Sequence, residues 1–481
     1  MRPANDVLER LERIGANPPP DKKAPRLLVL DATSDPARVA EHRRLRARAF
    51  VDEQEMFRGH DRDEHDSTAG TRVLVALDRD GVVVGGVRLH PARPGAEGLG
   101  WWQGSRLVCR PGASVARGEI GAALVRAACA RAVDEGALRF DAHVQAAYEP
   151  FFARLGWTPV RAIAVRGRPH VLMRWPVERI ADLARATKQP LGSLVGPLLA
   201  SAPGMGAWLG DDGAPVRGTG VVVCTDAIAP AMVERDPEWA GWCGILVTAH
   251  DLAAMGASPL GALDAVGAGD RATAARLISG LRRGADALAL PVLGGHTQLG
   301  VPGALSVTGL GHARHPVPAG GGRVGDELTV TADLGGGWRP GYAGRQWDSS
   351  THRRREELRA MLDSVAVARP LAAKDVSMAG LAGTVGMLAE AGGCGAELDV
   401  ERIPRPAGAS GGDWLTCFPG FAMVTADAPG APPPPAGPAS SAACGVLTGE
   451  PGVRLRWPDG DVTTALTGGV TGLGQAIGET A

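Results

Sequence analysis

The chain has no apolar run long enough to span a bilayer, which excludes a helical membrane protein and leads us to expect a soluble, globular one. It also has no Cys-x-x-Cys pair. Its seven cysteines are scattered and odd in number, which argues against a disulfide framework or a structural zinc site and for a reducing cytoplasm. Nor is there an excess of charge: 51 Lys plus Arg stand against 52 Asp plus Glu, so no global field favours nucleic acid or a membrane surface. The N-terminus carries no charged-then-apolar signal. Met1 to Lys23 is a polar, Pro-rich lead-in, expected to be partly mobile. At 481 residues, 44% of them hydrophobic, the chain exceeds one ordinary domain, and two or three compact units are expected.

The residues that carry chemistry concentrate between Gly210 and Thr297, in four clusters: Gly210-Asp211-Asp212-Gly213-Ala214, Cys224-Thr225-Asp226-Ala227, His250-Asp251-Leu252-Ala253-Ala254-Met255-Gly256-Ala257 and Gly294-Gly295-His296-Thr297. Val221-Val222-Val223 reads as a buried strand delivering Thr225 and Asp226, and Gly241 to Met255 as a helix stopped by Gly256. Carboxylates converging from several elements suit Mg²⁺, which is held by a few carboxylates together with nucleotide phosphates. Neighbouring glycines let backbone N–H groups approach phosphate oxygens. Taken alone, an Asp-Asp-Gly is a solvated turn. The order of all four clusters, however, resembles the aminoimidazole ribonucleotide (AIR) synthase superfamily, which includes thiamine-monophosphate kinase, selenophosphate synthetase and a hydrogenase maturation protein. The resemblance implies a Mg-ATP site with Asp211, Asp212, Asp226 and Asp251 as metal ligands, Asp251 also catalytic. It implies nucleotide contacts from Gly210, Gly213, Thr225, Gly294, Gly295 and Thr297. Leu288 to Leu293 reads as a buried strand emptying into the last cluster, where the kinase branch has Asp in place of His296. His250 reads as a satisfied histidine beside the site.

Upstream, about Arg26 to Trp175 reads as an α+β unit. A basic helical segment, His42 to Phe50, precedes an acidic run with Asp61, Asp63 and Asp66. Val73 to Leu77 and Val82 to Leu89 are strands flanking Asp78-Arg79-Asp80-Gly81, a hairpin signal. A strand at Trp102 to Cys109 leads through Arg117-Gly118-Glu119-Ile120-Gly121-Ala122 into an alanine-rich helix ending near Gly136. Leu138 to Ala142 is the next strand and Ala146 to Leu155 the next helix. Such a glycine-bearing turn at a helix N-terminus binds phosphate, since its N–H groups and the helix dipole face the ligand. This arrangement, with Phe50 to Gln54 and Tyr148 to Trp157, resembles the GNAT acetyltransferases. The resemblance implies acetyl-CoA held by Arg117, Gly118, Gly121 and Ala122. Glu53 and His143 are candidate bases, and Tyr148 is a candidate proton donor to the leaving thiolate. Two departures stand out: Ile120 replaces the first motif glycine, and Phe151 and Phe152 occupy the usual place of the tyrosine.

Downstream, Pro316 to Gly322 is a Pro/Gly-rich boundary and Val324 to Val330 a strand. Arg339 and Arg345 lie in a segment where substrate choice is expected to reside, whether they hold phosphate or carboxylate or are simply solvated. Lys374 to Ala382 reads as the start of a helix with Met378, Leu381, Val385 and Leu388 on one face, Ser377 as its cap and Lys374, Asp375 and Ser377 near phosphate. Gly411 to Met423 fits a later strand region, Pro429 to Ser441 a surface loop and Cys444 to Thr448 a closing strand.

The fold class is therefore α+β and α/β multidomain. A lead-in (1–25), a GNAT-like mixed sheet flanked by helices (26–176) and a helical connection (177–207) precede AIR synthase-like N-terminal (208–316, a dimer barrel) and C-terminal α/β (323–481) domains. The two resemblances together imply a cytoplasmic, bifunctional homodimer using acetyl-CoA, ATP and Mg²⁺ on an unidentified small nitrogen metabolite, with no nucleic-acid or membrane partner. Nucleotide and CoA sensing or assembly with one or both halves non-catalytic, and thiamine-monophosphate kinase-like activity, are the alternatives.

Overall fold

The Asp-Gly hairpin forms where the sequence places it. Asp78 Oδ1 accepts from Asp80 N and Val82 N, both at 3.0 Å, and Gly81 takes φ +76°, a conformation that favours glycine. The computed structural model describes residues 27–93, 95, 98–199 and 206–476. The polar lead-in expected to be mobile lies outside them. The chain divides into two compact units: Met1–Gly95 with Trp102–Asp134 and Phe140–Pro176, and Ala96–Trp101 with Glu135–Arg139 and Val177–Ala481.

The first unit is built on strands β1 (Leu28–Asp31), β2 (Arg72–Leu77), β3 (Val83–Pro91), β4 (Trp101–Cys109), β5 (Arg139–Gln145), β6 (Thr158–Val165) and β7 (Arg168–Trp175), in the order β1-β2-β3-β4-β5-β7-β6. Helix α1 (Pro36–Ala47) is capped by Asp35, whose side chain accepts from Ala37 N and Arg38 N. It passes directly into a π-helical turn at Arg48–Glu53, so the segment expected as helical is helical through Phe50, with a wider last turn. Helix α2 (Arg117–Asp134) connects β4 to β5. All nine residues of β3 are buried, and adjacent glycines let a helix approach each face. A Cβ on Gly85 would stand 2.8 Å from Ile120 of α2, and one on Gly86 would stand 2.6 Å from the His42 ring of α1.

The second unit begins with the expected helical connection, α3 (Arg179–Thr187) and α4 (Leu191–Leu199). Its first sheet runs β11-β10-β12-β9-β8, from β8 (Ala214–Pro215), β9 (Val221–Ile228), β10 (Ser258–Ala268), β11 (Val292–Leu299) and β12 (Ala304–His312). Helix α5 (Pro237–Ala254) is buried at every residue but Glu238, as a helix apolar all round must be. Helix α6 (Arg271–Leu288) lies against it at a glycine: a Cβ on Gly280 would stand 2.0 Å from the Glu238 carbonyl oxygen. The buried strand expected at Leu288 to Leu293 is not there. α6 runs to Leu288, and β11 begins at Val292 as an edge strand exposed along its whole length. A short apolar run does not distinguish helix end from strand, nor core from edge.

The second sheet runs β16-β19-β13-β20-β17-β21-β22, with β14 (Gly337–Trp338), β15 (Gln346–Asp348) and β18 (Phe418–Pro419) forming a small sheet beside it. Its strands are β13 (Glu327–Ala332), β16 (Ala372–Asp375), β17 (Gly395–Asp399), β19 (Ala422–Asp427), β20 (Ser440–Thr448), β21 (Gly452–Arg456) and β22 (Val462–Leu466). Two expectations change here. Lys374 and Asp375 end a buried strand, and helix α7 (Gly380–Ala391) starts five residues after Asp375 with no side-chain cap, leaving Met378 exposed before it. Gly380, at φ +69°, makes the turn into α7. The Gly411 region opens with a helical turn, Gly411–Thr416, capped by Ser410, before β18 and β19.

One hydrophobic core joins both sheets of the second unit: Ile245, Leu246 and Leu252 of α5 pack in the same cluster as Ala373, Phe421 and Met423. This core fixes Asp251 opposite β16. Gly280→Val should force α5 and α6 apart and lower unfolding stability by about 1–3 kcal/mol, the usual cost of overpacking. A urea midpoint equal to that of the parent protein contradicts this packing.

Candidate functional site

Four separate elements of the second unit bring carboxylates together. Asp212 stands in the loop before β8, Asp251 on α5 and Asp375 at the end of β16, and ligand oxygens of these three lie within 4.8 Å of one another. Asp226, on β9, is near enough to raise the carboxyls of Asp251 and Asp375. Lys374 is buried, ion-paired to Asp212 Oδ1, and donates to Gly210 O at 2.9 Å. Asp375 N donates to Asp212 Oδ2 at 3.2 Å.

The electrostatics of this arrangement are unbalanced. Three carboxyl groups face one ammonium, which is already paired with Asp212, so Asp251 and Asp375 are buried without a cation of their own. Burial, then the neighbouring carboxylates Asp375, Asp226 and Asp212, hold the Asp251 carboxyl well above the usual range. Asp375 is raised by burial and then Asp212, against the pull of Lys374. Burial would lower the Lys374 ammonium, but Asp212 and Asp211 reverse this and raise it.

Asp211 stands outside the trio. One of its oxygens accepts from Ala319 N, the other is buried with no hydrogen-bond partner, and burial pushes its pKa up to about 7. The metal set expected from the sequence is thus rearranged: Asp212 and Asp251 converge, Asp226 sits at the margin, and Asp375, expected to contact phosphate, is the third carboxylate. A strand end puts it there, where the sequence suggested a helix N-terminus. All three donors are hard oxygens, and a divalent cation would take the place of the protons that burial and mutual repulsion hold on Asp251 and Asp375, so these residues fit Mg²⁺.

The expected nucleotide contacts divide. Gly210, at φ +79°, turns its carbonyl to Lys374, and Gly213 packs close to Val223 O. Thr225 Oγ1 lies 3.0 Å from Thr308 Oγ1 on the face of the sheet. Gly294, Gly295 and Thr297 lie on β11, three strands away from β9, roughly 14 Å at ordinary strand spacing. They do not join the carboxylates within one chain. Ser377 does not cap α7, and its hydroxyl is buried with no partner. His250 is a core residue packed edge-on against Phe421, and burial lowers its pKa to about 4. Arg339 holds no free phosphate site: it pairs with Asp236 and Asp348 and lies over the Trp239 ring.

The first unit contains a cavity of about 670 Å³ between β4, β5 and the start of α2. At β4 a bulge sets Arg106 and Leu107 opposite Val87, with Arg106 at φ +55°. Arg117, Gly118 and Gly121 line the cavity, whereas Ala122 does not. Ile120, which departs from the glycine pattern, is fully buried against β3 and takes no part in the wall. His143 lines the cavity beside Gln103, whose Nε2 is 3.2 Å from His143 Nδ1, and Tyr148 lines it half-exposed. Burial lowers the His143 pKa, with His170 and Arg161 adding to the effect and Asp141 opposing it.

Glu53 is not on this wall. It sits on the outer side of the π-helical turn, ion-paired to Arg48 at 3.0 Å, and Gln54 faces inward instead. The sequence reading missed the stacked His65 and His90 rings, 3.7 Å apart, on the cavity wall. It also missed the buried lattice beneath them, in which Asp63 binds Arg88 and Arg106 while Arg46 binds Asp61 and Asp66. The acidic run at Asp61, Asp63 and Asp66 was the available signal, but its arginine partners come from α1, β3 and β4.

Family models match two adjoining stretches of the chain: AIR synthase related protein, N-terminal domain, at residues 210–313, and its C-terminal domain at 323–428. An uncharacterized protein of Synechocystis is 32% identical over 250 residues, covering 50% of this chain and 76% of that protein. A thiamine-monophosphate kinase of Halobacterium salinarum is 31% identical over 171 residues, 34% of this chain and 58% of the kinase. Among solved structures, Thermotoga maritima PurL complexed with FGAR superposes with a TM-score of 0.50 at 15% identity, covering 61% of this chain and 54% of that one. No helix among the described residues is long and apolar enough to cross a membrane. From residue 210 to residue 428, this chain belongs to the AIR synthase-related family.

Proposed function

We propose that the chain is bifunctional: its second unit transfers a phosphoryl group from Mg-ATP to an amide-like oxygen or related acceptor, and its first transfers acetyl from acetyl-CoA to an amine. The observation that carries the first part is the trio of Asp212, Asp251 and Asp375 beside one paired lysine. Asp212, Asp251 and Asp375 would hold Mg²⁺, with Asp226 at the edge. Bound there, the ion would neutralise charge on the transferring phosphoryl group, and the protein's task would be positioning. Lys374 fixes Asp212, and the Gly210 turn brings backbone to the nucleotide. The relative from Halobacterium salinarum, named as a kinase, supports phosphoryl transfer as the reaction class. The exposed edge strand β11, with Val292, Leu293 and Leu299 open, supports a homodimer in which Gly294, Gly295 and Thr297 serve the partner's site.

In the first unit, the cavity at the start of α2 supports the acetyl-CoA reading. Arg117 and the Gly118 N–H in the first turn of α2 would hold the pyrophosphate. The amine would attack the thioester carbonyl, the C–S bond would break, His143 would take the amine proton and Tyr148 would protonate the departing thiolate. Gln103, with its side-chain nitrogen 3.2 Å from His143 Nδ1, would orient the ring for that transfer.

Three tests follow from these assignments. Asp251→Asn should abolish magnesium-dependent ATP turnover while leaving the circular dichroism spectrum unchanged, and equal turnover in both proteins refutes the site. Because the ion-free folded state keeps protons on Asp251 and Asp375 that the unfolded chain releases, its stability falls as pH rises above about 4. Magnesium competes with those protons, so its rise in unfolding midpoint should be larger at pH 8 than at pH 5.5, and a pH-independent rise contradicts the burial of these groups. In the first unit, Arg117→Ala should weaken acetyl-CoA binding by roughly 10-fold, a charge-assisted contact's worth. His143→Gln should preserve that affinity, and calorimetry that finds no acetyl-CoA binding to the parent protein overturns the acetyl-transfer reading.

A further inference from the structure

Two segments outside the matched family stretches meet at the edge of the carboxylate site. The first is the turn after α3, where Lys188 ends the helix with its N–H bonded to Ala184 O at 2.9 Å and Leu191 N returns to Lys188 O at 3.0 Å. The second is the glycine-rich tail after β22, Gly468-Gly469-Val470-Thr471-Gly472-Leu473-Gly474. This tail wraps around the Glu390 carboxylate of α7, which accepts from Val470 N and Thr471 N at 2.7 Å, and from Gly474 N and Thr471 Oγ1 at 3.1 Å.

The tail in turn grips the Lys188 turn. Gly192 N donates to Thr471 O at 2.7 Å, and the backbones approach so closely that a Cβ on Gly192 would stand 2.2 Å from Gly472 O. On its other side the tail reaches the metal loop, since a Cβ on Gly210 would stand 3.9 Å from Leu473 Cδ1. A continuous line of contacts therefore runs from Glu390 through the tail to Gly192, in the turn that Lys188 opens, and to the Gly210 loop, whose carbonyl binds Lys374. Lys188 is half-buried and close enough to Asp226 and Asp375 for its charge to oppose, in part, the rise that burial imposes on both carboxyls.

The charge balance gives this lysine a task. Lys374 is already paired with Asp212, so it does not meet an incoming polyanion as a free cation. A nucleoside triphosphate brings several further negative charges to a site with Asp211, Asp212, Asp226, Asp251 and Asp375 around it. One ion held by the trio offsets only the charge the trio carries. A second cation at the margin, on a long flexible stem, suits the outer phosphates as a point charge.

We propose that Lys188 is the phosphate-contacting cation of this site, supplied by the connecting helix and held in place by the Glu390-anchored tail. The inference rests on the Mg-ATP reading and names a residue that neither family stretch contains. Its test is calorimetric affinity for the magnesium complex of a non-hydrolysable ATP analogue, with ATP turnover measured in parallel, on the full chain. Lys188→Met should weaken analogue binding roughly 10- to 100-fold, the range for losing a hydrogen bond to a charged group. Lys188→Arg should recover most of that loss, which a packing role for the side chain would not require. Affinity for ADP, which lacks the outermost phosphate, should fall less. Equal analogue affinity in the parent protein and Lys188→Met overturns the inference alone. No nucleotide binding by the parent protein overturns the Mg-ATP reading and the inference with it.

Discussion

Like-charge repulsion in a closed space is the constraint on which the second unit depends. Asp212, Asp251 and Asp375 are drawn together by three elements whose packing leaves no alternative, and Lys374 offsets only one of them. A buried carboxylate without a partner costs several kcal/mol and responds by holding its proton. The fold tolerates this arrangement because the α5 core is apolar all round and joins both sheets, so the acidic groups are carried in on elements that are stable for other reasons. The gathering of acidic groups with too few cations is the physical reason for assigning a divalent cation to this place, and a phosphate ligand only through that ion.

The first unit is organised by a different constraint. Its sheet opens a cavity where β4 is bulged at Arg106, and two arginines on the wall are already paired. Of the stacked His65 and His90 rings, His90 has Nδ1 2.9 Å from Pro91 O, and burial lowers its pKa to about 3, so it faces the cavity uncharged. Arg88 and Arg106 are held by Asp63. The open positive charge belongs to Arg117, at the end where α2 begins. A ligand with a phosphate at one end and an apolar, uncharged reacting end matches that distribution.

Much of this was legible from local pattern. The Asp-Gly hairpin, the α5 helix stopped by Gly256 and the β-branched strand at Val221 all follow from short-range rules, and Gly256 takes φ +67° as a helix stop does. Asp212 and Asp251 were legible as a pair because each lies in a cluster of distinctive order. Asp375 was read as a phosphate contact at a helix start, because the apolar residues after it obey helical spacing and nothing local marks the turn at Gly380 that delays the helix. Glu53 failed for a related reason: the π-helical turn rotates it outward and Gln54 inward, and a one-residue rotation leaves no trace in composition. Lys188 was invisible, since its surroundings come from residues nearly three hundred positions later.

The central claim is that the trio gathers around a divalent cation that carries a nucleotide. Crystals grown with Mn²⁺ and a non-hydrolysable ATP analogue test it most directly, through the anomalous signal of the metal. The account predicts a peak in contact with the carboxylates of Asp212, Asp251 and Asp375, with the analogue's phosphates on its open side. A peak elsewhere, or an ordered nucleotide with no metal among these three residues, would contradict it.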